Sequence, residues 1–216
     1  FLDKVDFPTV IKADGLAAGK GVIIAKNKKE ALEGIENIMS KKIFGTSGER
    51  IIIEEFLEGE EISFFSLVDV NGFVFPLTTA QDHKKIGEGD LGLNTGGMGA
   101  YSPVPFIKQN QINEFVLTFV KPIIEDLKNN GIFFSGIFYA GLIMSRNGPN
   151  LLEINVRFGD PEAQAILPRL KTDLLKLLLA ASQGNLDKFE FPRWDNNFCM
   201  NVVMASKGYP ETYKKN

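Results

Sequence analysis

The stretch Leu151-Leu152-Glu153-Ile154-Asn155-Val156-Arg157-Phe158-Gly159-Asp160-Pro161-Glu162 alternates strictly between apolar and polar side chains. Read as a strand, it puts Leu152, Ile154, Val156 and Phe158 on one side. Glu153, Asn155 and Arg157 fall on the other, because successive side chains point to opposite faces. The apolar row is good enough for a sheet core. The polar row has two readings. One is the solvated face of a sheet. The other is a site. Two oxygen ligands at i and i+2 suit a hard cation such as Mg²⁺, which takes few protein ligands and shares phosphate oxygens. An arginine one step further can hold an anion bidentately.

That strand is one arm of a hairpin, since Phe133 to Ser145 reads as one or two strands and Asn147-Gly148-Pro149 as a turn. Near the start of the chain, Thr9 to Lys12 and Val22 to Ala25 read as two strands around a loop with glycines at Gly15, Gly19 and Gly21. Such a loop can turn its N–H groups to phosphate oxygens, with Lys12 and Lys20 supplying charge. It is not a P-loop: Gly21 stands where Ser or Thr is required, and a strand follows instead of a helix. A plain hairpin turn is the alternative. Helical spacing runs from Lys28 to Ser40. Ile51 to Leu57 reads as a buried-type strand ending in acids, which is either a charged turn or a set of acceptors for an adenine amino group and ribose hydroxyls.

Ile62 to Val70 and Phe73 to Thr79 flank Asn71-Gly72, a hairpin signal. Gly87 to Tyr101, with six glycines, reads as a long loop without a core of its own, and its length points to function. The sole histidine, His83, cannot build the usual zinc sites. An apolar stripe from Ile112 to Leu127 predicts a helix that Pro122 kinks or restarts. Thr172-Asp173 can cap a Leu-rich helix over 174–181, and Phe198 to Ala205 reads as another buried strand. Helices embedded among hairpins give an α+β class with mixed or antiparallel sheets.

The formal charge of −3 comes from 24 basic and 27 acidic residues without a basic run, which argues against nucleic acid as a partner. Runs such as Leu177 to Ala181 fall far short of the roughly 18 apolar residues of a membrane span. With Cys199 as the only cysteine, an intramolecular disulfide is impossible, and a reducing, cytoplasmic setting is expected. The chain starts without Met and ends in Tyr213-Lys214-Lys215-Asn216, so it is expected to be a piece of a longer protein.

The segments IKADGLAAGKGV, EEFLEGEE, QDHK, GDLGLNTGGMGAYSP and NVRFGDPE together resemble the phosphoribosylamine–glycine ligases (glycinamide ribonucleotide synthetases) of the ATP-grasp superfamily. The resemblance runs from about Val5 to about Pro210. It implies an ATP-grasp lid over 1–61, an ATP-grasp body over 62–192 and the start of a C-terminal domain over 193–216. It implies ligation of glycine to 5-phosphoribosylamine through glycyl phosphate, with ATP and Mg²⁺ or Mn²⁺, and without nucleic acid or membrane. The family's N-terminal domain lies outside the chain, so the fragment's own activity is in question.

The resemblance also implies roles for particular residues. Lys12, Gly15, Ala18, Gly19, Lys20 and Gly21 would hold ATP phosphates. Glu54, Glu55, Phe56 and Leu57 would meet the adenine edge, and Glu61 the ribose. Glu153 and Asn155 would hold the metal. Arg157, Lys20 and Asp160 would act in catalysis. Asp82, Lys84, Asn94, Thr95, Gly96, Gly97 and Met98 would line the side of the two substrates. The alternatives are another ATP-grasp carboxylate–amine ligase, or a nucleotide-binding module without turnover.

Overall fold

The computed structural model describes residues 1–17 and 21–213. The chain divides into two units, Phe1–Glu58 and Gly59–Asn216. In the first, β1 (Thr9–Ala13) lies between β2 (Val22–Ala25) and β3 (Ile51–Glu55), all antiparallel. Helix α1 (Lys28–Ile35) follows β2 and continues as one wider turn to Ser40. Asn27 starts it. Its side chain accepts from the Glu30 N–H at 3.0 Å, and the Glu30 carboxylate accepts from the Lys26 N–H at 2.9 Å, so donors with no partner inside the helix are satisfied. Ile11, Ala25, Ala31 and Ile38 are buried together, with Ala13, Ile23, Ile51 and Ile53 packed against them.

The second unit is built on a six-stranded sheet of order β10-β9-β4-β5-β8-β11, in which every pairing is antiparallel. The strands are β4 (Gly59–Val68), β5 (Val74–Asp82), β8 (Gly99–Ser102), β9 (Gly136–Ser145), β10 (Gly148–Asn155) and β11 (Cys199–Val202). A two-stranded hairpin of β6 (Lys85–Gly87) and β7 (Leu91–Asn94) stands between β5 and β8. Alternation on β4 and β9 sorts the core into two layers. Phe64, Val68, Phe138 and Leu142 pack with α2 (Gln109–Phe115) and α3 (Lys121–Asn129) through Phe115 and Ile124. Phe65, Leu67 and Tyr139 pack with α4 (Glu162–Ile166) and α5 (Leu174–Gln183) through Ile166, Leu177 and Ala180.

Local signals explain the connections. At Asn71-Gly72 the Asp69 carboxylate accepts from the Asn71 and Phe73 N–H groups at 2.9 Å each, and Gly72 takes φ +86°. Pro122 sits in the first turn of α3, where a missing N–H costs nothing, so it restarts the helix. Asp173 caps α5 by accepting from the Lys176 N–H.

Three expectations need correction. Gly87 to Tyr101 is not one long loop: it holds most of the β6–β7 hairpin and then β8, because its glycines allow tight turns (Gly89 φ +66°, Gly92 φ +89°). The alternating stretch does not stay a strand to Phe158. β10 ends at Asn155 and carries a bulge between Leu151 and Glu153. Ile154 and Val156 are left exposed, while Phe158 turns back against the ring of Phe65. Finally, Phe198 to Ala205 is not a buried strand. Only Cys199–Val202 pairs, at the sheet edge against β8, and Phe198, Met200, Val202 and Met204 are exposed. No helix among the described residues is long and apolar enough to cross a membrane.

Candidate functional site

Each unit contributes one patch of candidate residues. In the first unit, Ile11, Ile51 and Ile53 belong to the core, so the alternate residues face outward. Register pairs Val10 with Ile24 and Glu54, and Lys12 with Val22 and Ile52. The outer face is therefore an apolar surface of Val10, Val22, Ile24 and Ile52 carrying one cation and one acid. Lys12 Nζ lies 2.6 Å from Glu54 Oε2, so the Glu54 side chain is turned to the lysine in this structure. Glu55 is opposite Thr9, and Phe56 and Leu57 follow the end of β3. Such a face can take a flat ring on its apolar part and an anion at Lys12.

Gly15 packs tightly within the unit. Its N–H donates to the Ser47 carbonyl at 3.0 Å, and a Cβ there would lie 2.6 Å from Ser47 Cα. The close approach that requires glycine is to the protein's own backbone. Gly21 accepts from the Ala13 N–H at 2.8 Å, extending the β1–β2 ladder. Ala18, Gly19 and Lys20 lie outside the described residues.

In the second unit the strand register gathers residues far apart in sequence. Glu153 is opposite Gly141 and Asn155 opposite Tyr139. Gly141 is opposite Ser63 and Ile143 opposite Glu61. Ser63 is opposite Ala80, and Asp82 lies two residues on. Cross-strand partners share a face. Glu61, Ser63, Asp82, Glu153 and Asn155 thus extend the side of the sheet that buries Phe65 and Tyr139. Gly141 makes room for this: a Cβ there would lie 2.9 Å from Glu153 Cγ.

Lys84 stands among these acids. Its Nζ is 3.2 Å from Glu61 Oε2. Burial works against its charged form, but Asp82, Glu61 and Glu153 together outweigh that and hold the ammonium above the usual lysine range. Asp82 moves the other way from an ordinary carboxyl. Burial raises it to about 6, Glu162 and Glu61 push in the same sense, and Lys84 only partly offsets them.

Asn155 Nδ2 is 3.2 Å from Glu153 Oε1. Turning the amide would set its oxygen beside the carboxylate. Among the described residues, no group of three or more His, Cys, Asp and Glu side chains is gathered for a metal. The pair therefore fits a cation that completes its shell with phosphate and water, the habit of Mg²⁺, and does not fit a closed protein cage. Arg157 lies past the strand end, exposed, with Nη1 donating to the Phe158 carbonyl at 2.9 Å and Nη2 3.5 Å from Asn155 Oδ1. Asp160 accepts from Gln164 Nε2 at 2.7 Å.

The segment Asn94 to Met98 is tied down within the same unit. The Thr95 N–H and hydroxyl both donate to the Lys84 carbonyl, at 2.7 and 2.8 Å. The Gly96 N–H donates to the Tyr209 hydroxyl at 2.9 Å, and the Met98 N–H to the His83 carbonyl at 2.8 Å. Gly97 takes φ +124°, and a Cβ there would lie 2.3 Å from Pro161 Cδ. Gly97 is what lets this segment pass against the 160–161 turn.

Sequence reading passed over Ser63, Tyr139, Tyr209 and, as an individual residue, Glu162. Glu162 is 2% exposed at the start of α4. The Ser63 hydroxyl lies 2.8 Å from its carboxylate and 2.9 Å from the Tyr139 hydroxyl. Burial and Glu162 push the Tyr139 hydroxyl well above its ordinary range. The one available signal was a pair of serines in the apolar run Ile62-Ser63-Phe64-Phe65-Ser66.

This architecture is an ATP-grasp fold, with an acidic sheet face on which Glu153 and Asn155 lie side by side. The family model for the phosphoribosylglycinamide synthetase ATP-grasp (A) domain matches residues 1–163, and the chain belongs to that family. Similar curated proteins include phosphoribosylamine–glycine ligases of Agrobacterium fabrum, 49% identical over 97% of this chain and 49% of the relative, and of Vigna unguiculata, 46% identical over 100% of this chain and 69% of the relative. The crystal structure of phosphoribosylamine–glycine ligase from Thermotoga maritima superimposes with a TM-score of 0.87 at 36% identity, over 98% of this chain and 53% of that one. A biotin carboxylase domain from Hydrogenobacter thermophilus, solved with MgADP, ADP and bicarbonate, shares the fold alone, at a TM-score of 0.67 and 17% identity over 92% of this chain and 41% of that one. The chain spans about half the length of curated relatives such as the Agrobacterium protein, at 49%.

Proposed function

We propose that the full-length protein joins glycine to 5-phosphoribosylamine with ATP, giving glycinamide ribonucleotide, ADP and phosphate. The observation that carries this reading is the acidic sheet face, with Glu153 and Asn155 on it and Lys84 among its acids, in a chain whose residues 1–163 match that family. Lys12 and the glycine-rich segment from Gly15 to Gly21 hold phosphates. Glu54, Glu55, Phe56 and Leu57 serve the adenine edge, and Glu61 the ribose. Glu153 and Asn155 hold Mg²⁺ or Mn²⁺, which neutralises phosphate charge when bound.

A glycine carboxylate oxygen bonds to the γ-phosphorus as the bond to ADP breaks, and glycyl phosphate forms. The amine nitrogen of 5-phosphoribosylamine then bonds to the acyl carbon, phosphate leaves and the nitrogen loses a proton. Arg157 stabilises the transferring phosphoryl, with Lys20 and Asp160 alongside. Asp82, Lys84 and Asn94 to Met98 line the substrates' side. No covalent enzyme nucleophile is needed, so catalysis rests on positioning and charge neutralisation. The partners are small molecules, neither nucleic acid nor membrane, and the setting proposed is cytoplasmic.

The test is ADP formation by the full-length enzyme. It is expected to require glycine, 5-phosphoribosylamine and a divalent cation together. Turnover of another carboxylate in place of glycine would reassign the protein to a different ATP-grasp carboxylate–amine ligase. Nucleotide-dependent stabilisation without metal dependence or turnover would make it a binding module. Within the reaction, Glu153→Ala is expected to lower turnover by at least about 100-fold, because metal charge stabilisation is worth several kcal/mol. A loss within about tenfold would remove the metal role from Glu153.

A further inference from the structure

We infer that Glu162, acting through Ser63 and Tyr139, is the positioning residue that sets the cation pair and Arg157 on the sheet. The inference rests on the proposed function and concerns a carboxylate with no role in it so far. Glu162 is buried at the start of α4, and its carboxylate is bridged at 2.8 Å to the Ser63 hydroxyl of β4. That hydroxyl reaches Tyr139 of β9 at 2.9 Å. Tyr139 is the cross-strand partner of Asn155, and Ser63 is the partner of Gly141, which makes room for Glu153. The network thus lies on the same face as Glu153 and Asn155, beside the two sheet positions that pair with them.

It also grips the turn that follows. Arg157 to Pro161 runs from the end of β10 to Glu162. Gly159 is buried, and a Cβ there would lie 2.2 Å from the Glu162 carboxylate. Phe158 packs on Phe65. Asn201 Nδ2 holds the Pro161 carbonyl at 2.8 Å, and Gly97 passes close to the Pro161 ring. Anchoring Glu162 therefore fixes both ends of the Arg157-bearing turn, one at β10 and the other at the β4–β9 pair. A buried carboxylate costs desolvation free energy, and two hydroxyls offset only part of it. Its value lies in holding one geometry.

The experiment uses the full-length enzyme and four variants: Glu162→Gln, Glu162→Ala, Ser63→Ala and the double Glu162→Ala/Ser63→Ala. Wild-type turnover must first be shown. Its absence would sink the proposed function and not this inference. Expected for Glu162→Ala is a fall of ten- to a hundred-fold in kcat, with KM for ATP within about threefold, and weaker Mn²⁺ binding in the presence of ADP by calorimetry. Glu162→Gln keeps an acceptor for Ser63 and is expected to recover most of both losses. The double variant is expected to lose no more than Glu162→Ala, since one path carries both effects. Unaltered kcat and Mn²⁺ binding in Glu162→Ala, a folded Glu162→Gln as impaired as Glu162→Ala, or additive losses in the double variant would each overturn the inference.

Discussion

Asp82 shows how one side chain records the cost of the site around it. Its carboxyl is raised to about 6 from an ordinary 3.8. The folded state therefore binds the proton more tightly than the unfolded state. That contribution to stability is fully present below about pH 4 and is lost as the pH rises through about 6. Without metal or nucleotide, Asp82→Asn should raise the melting temperature at pH 7.5, by at most about 3 kcal/mol of stability, with the gain fading towards pH 4. A constant offset across that range would show that the ionised carboxylate is not under strain. At Gly15 the prediction tests why the glycine is there. Gly15→Ala places a Cβ against Ser47 and should destabilise the first unit by about 1–3 kcal/mol in thermal unfolding without ligand. Unchanged ligand-free melting would return Gly15 to a purely ligand-facing role. Glu153 and Asn155 stood out in the sequence because they form, with Arg157, the polar row of a strict alternation. Glu162 did not, because its meaning lies in a contact with Ser63, 99 residues away.

Elements were legible where local chemistry decides them. Asp173 before α5 and Asn71-Gly72 between β4 and β5 act within a few residues of themselves. Extents failed where packing decides. β10 stops at Asn155 because Phe158 is drawn back onto Phe65, which no period-2 count reveals. The glycine-rich segment became the β6–β7 hairpin and β8 because neighbouring backbone was available to pair with it. β4 carries one discordant group. Ser66 Oγ is buried, and no hydrogen-bond partner is found for it among the described residues. Its strand neighbours Phe64 and Val68 are core. Ser66→Ala should therefore be neutral to stabilising, by about 1 kcal/mol, in denaturant unfolding. A loss of that size instead would show that the hydroxyl has a partner.

At the scale of the molecule, the two units bury separate cores. The first rests on a small set led by Ile11 and Ile38, the second on two layers about one sheet. A unit of 58 residues has little stability to spare. Ile38→Ala removes roughly 2–5 kcal/mol. It should abolish hydrogen-exchange protection in β1 and β3 while leaving β4 and β9 protected. Loss of protection in both units together would mean they unfold as one.

The sequence by itself determined the α+β class, the cap at Asp173, the Asn71-Gly72 turn, the family and the polar row that holds Glu153 and Asn155, because each depends on residue type at short spacing. Only the tertiary structure decided which residues face that pair. Strand register brought Glu61 and Asp82 to its face from other strands, with Lys84 in the link that follows Asp82, and burial set Glu162, one acid in a motif, against Ser63 on that face. Register and burial follow from packing two layers on one sheet, which no single stretch of residues contains.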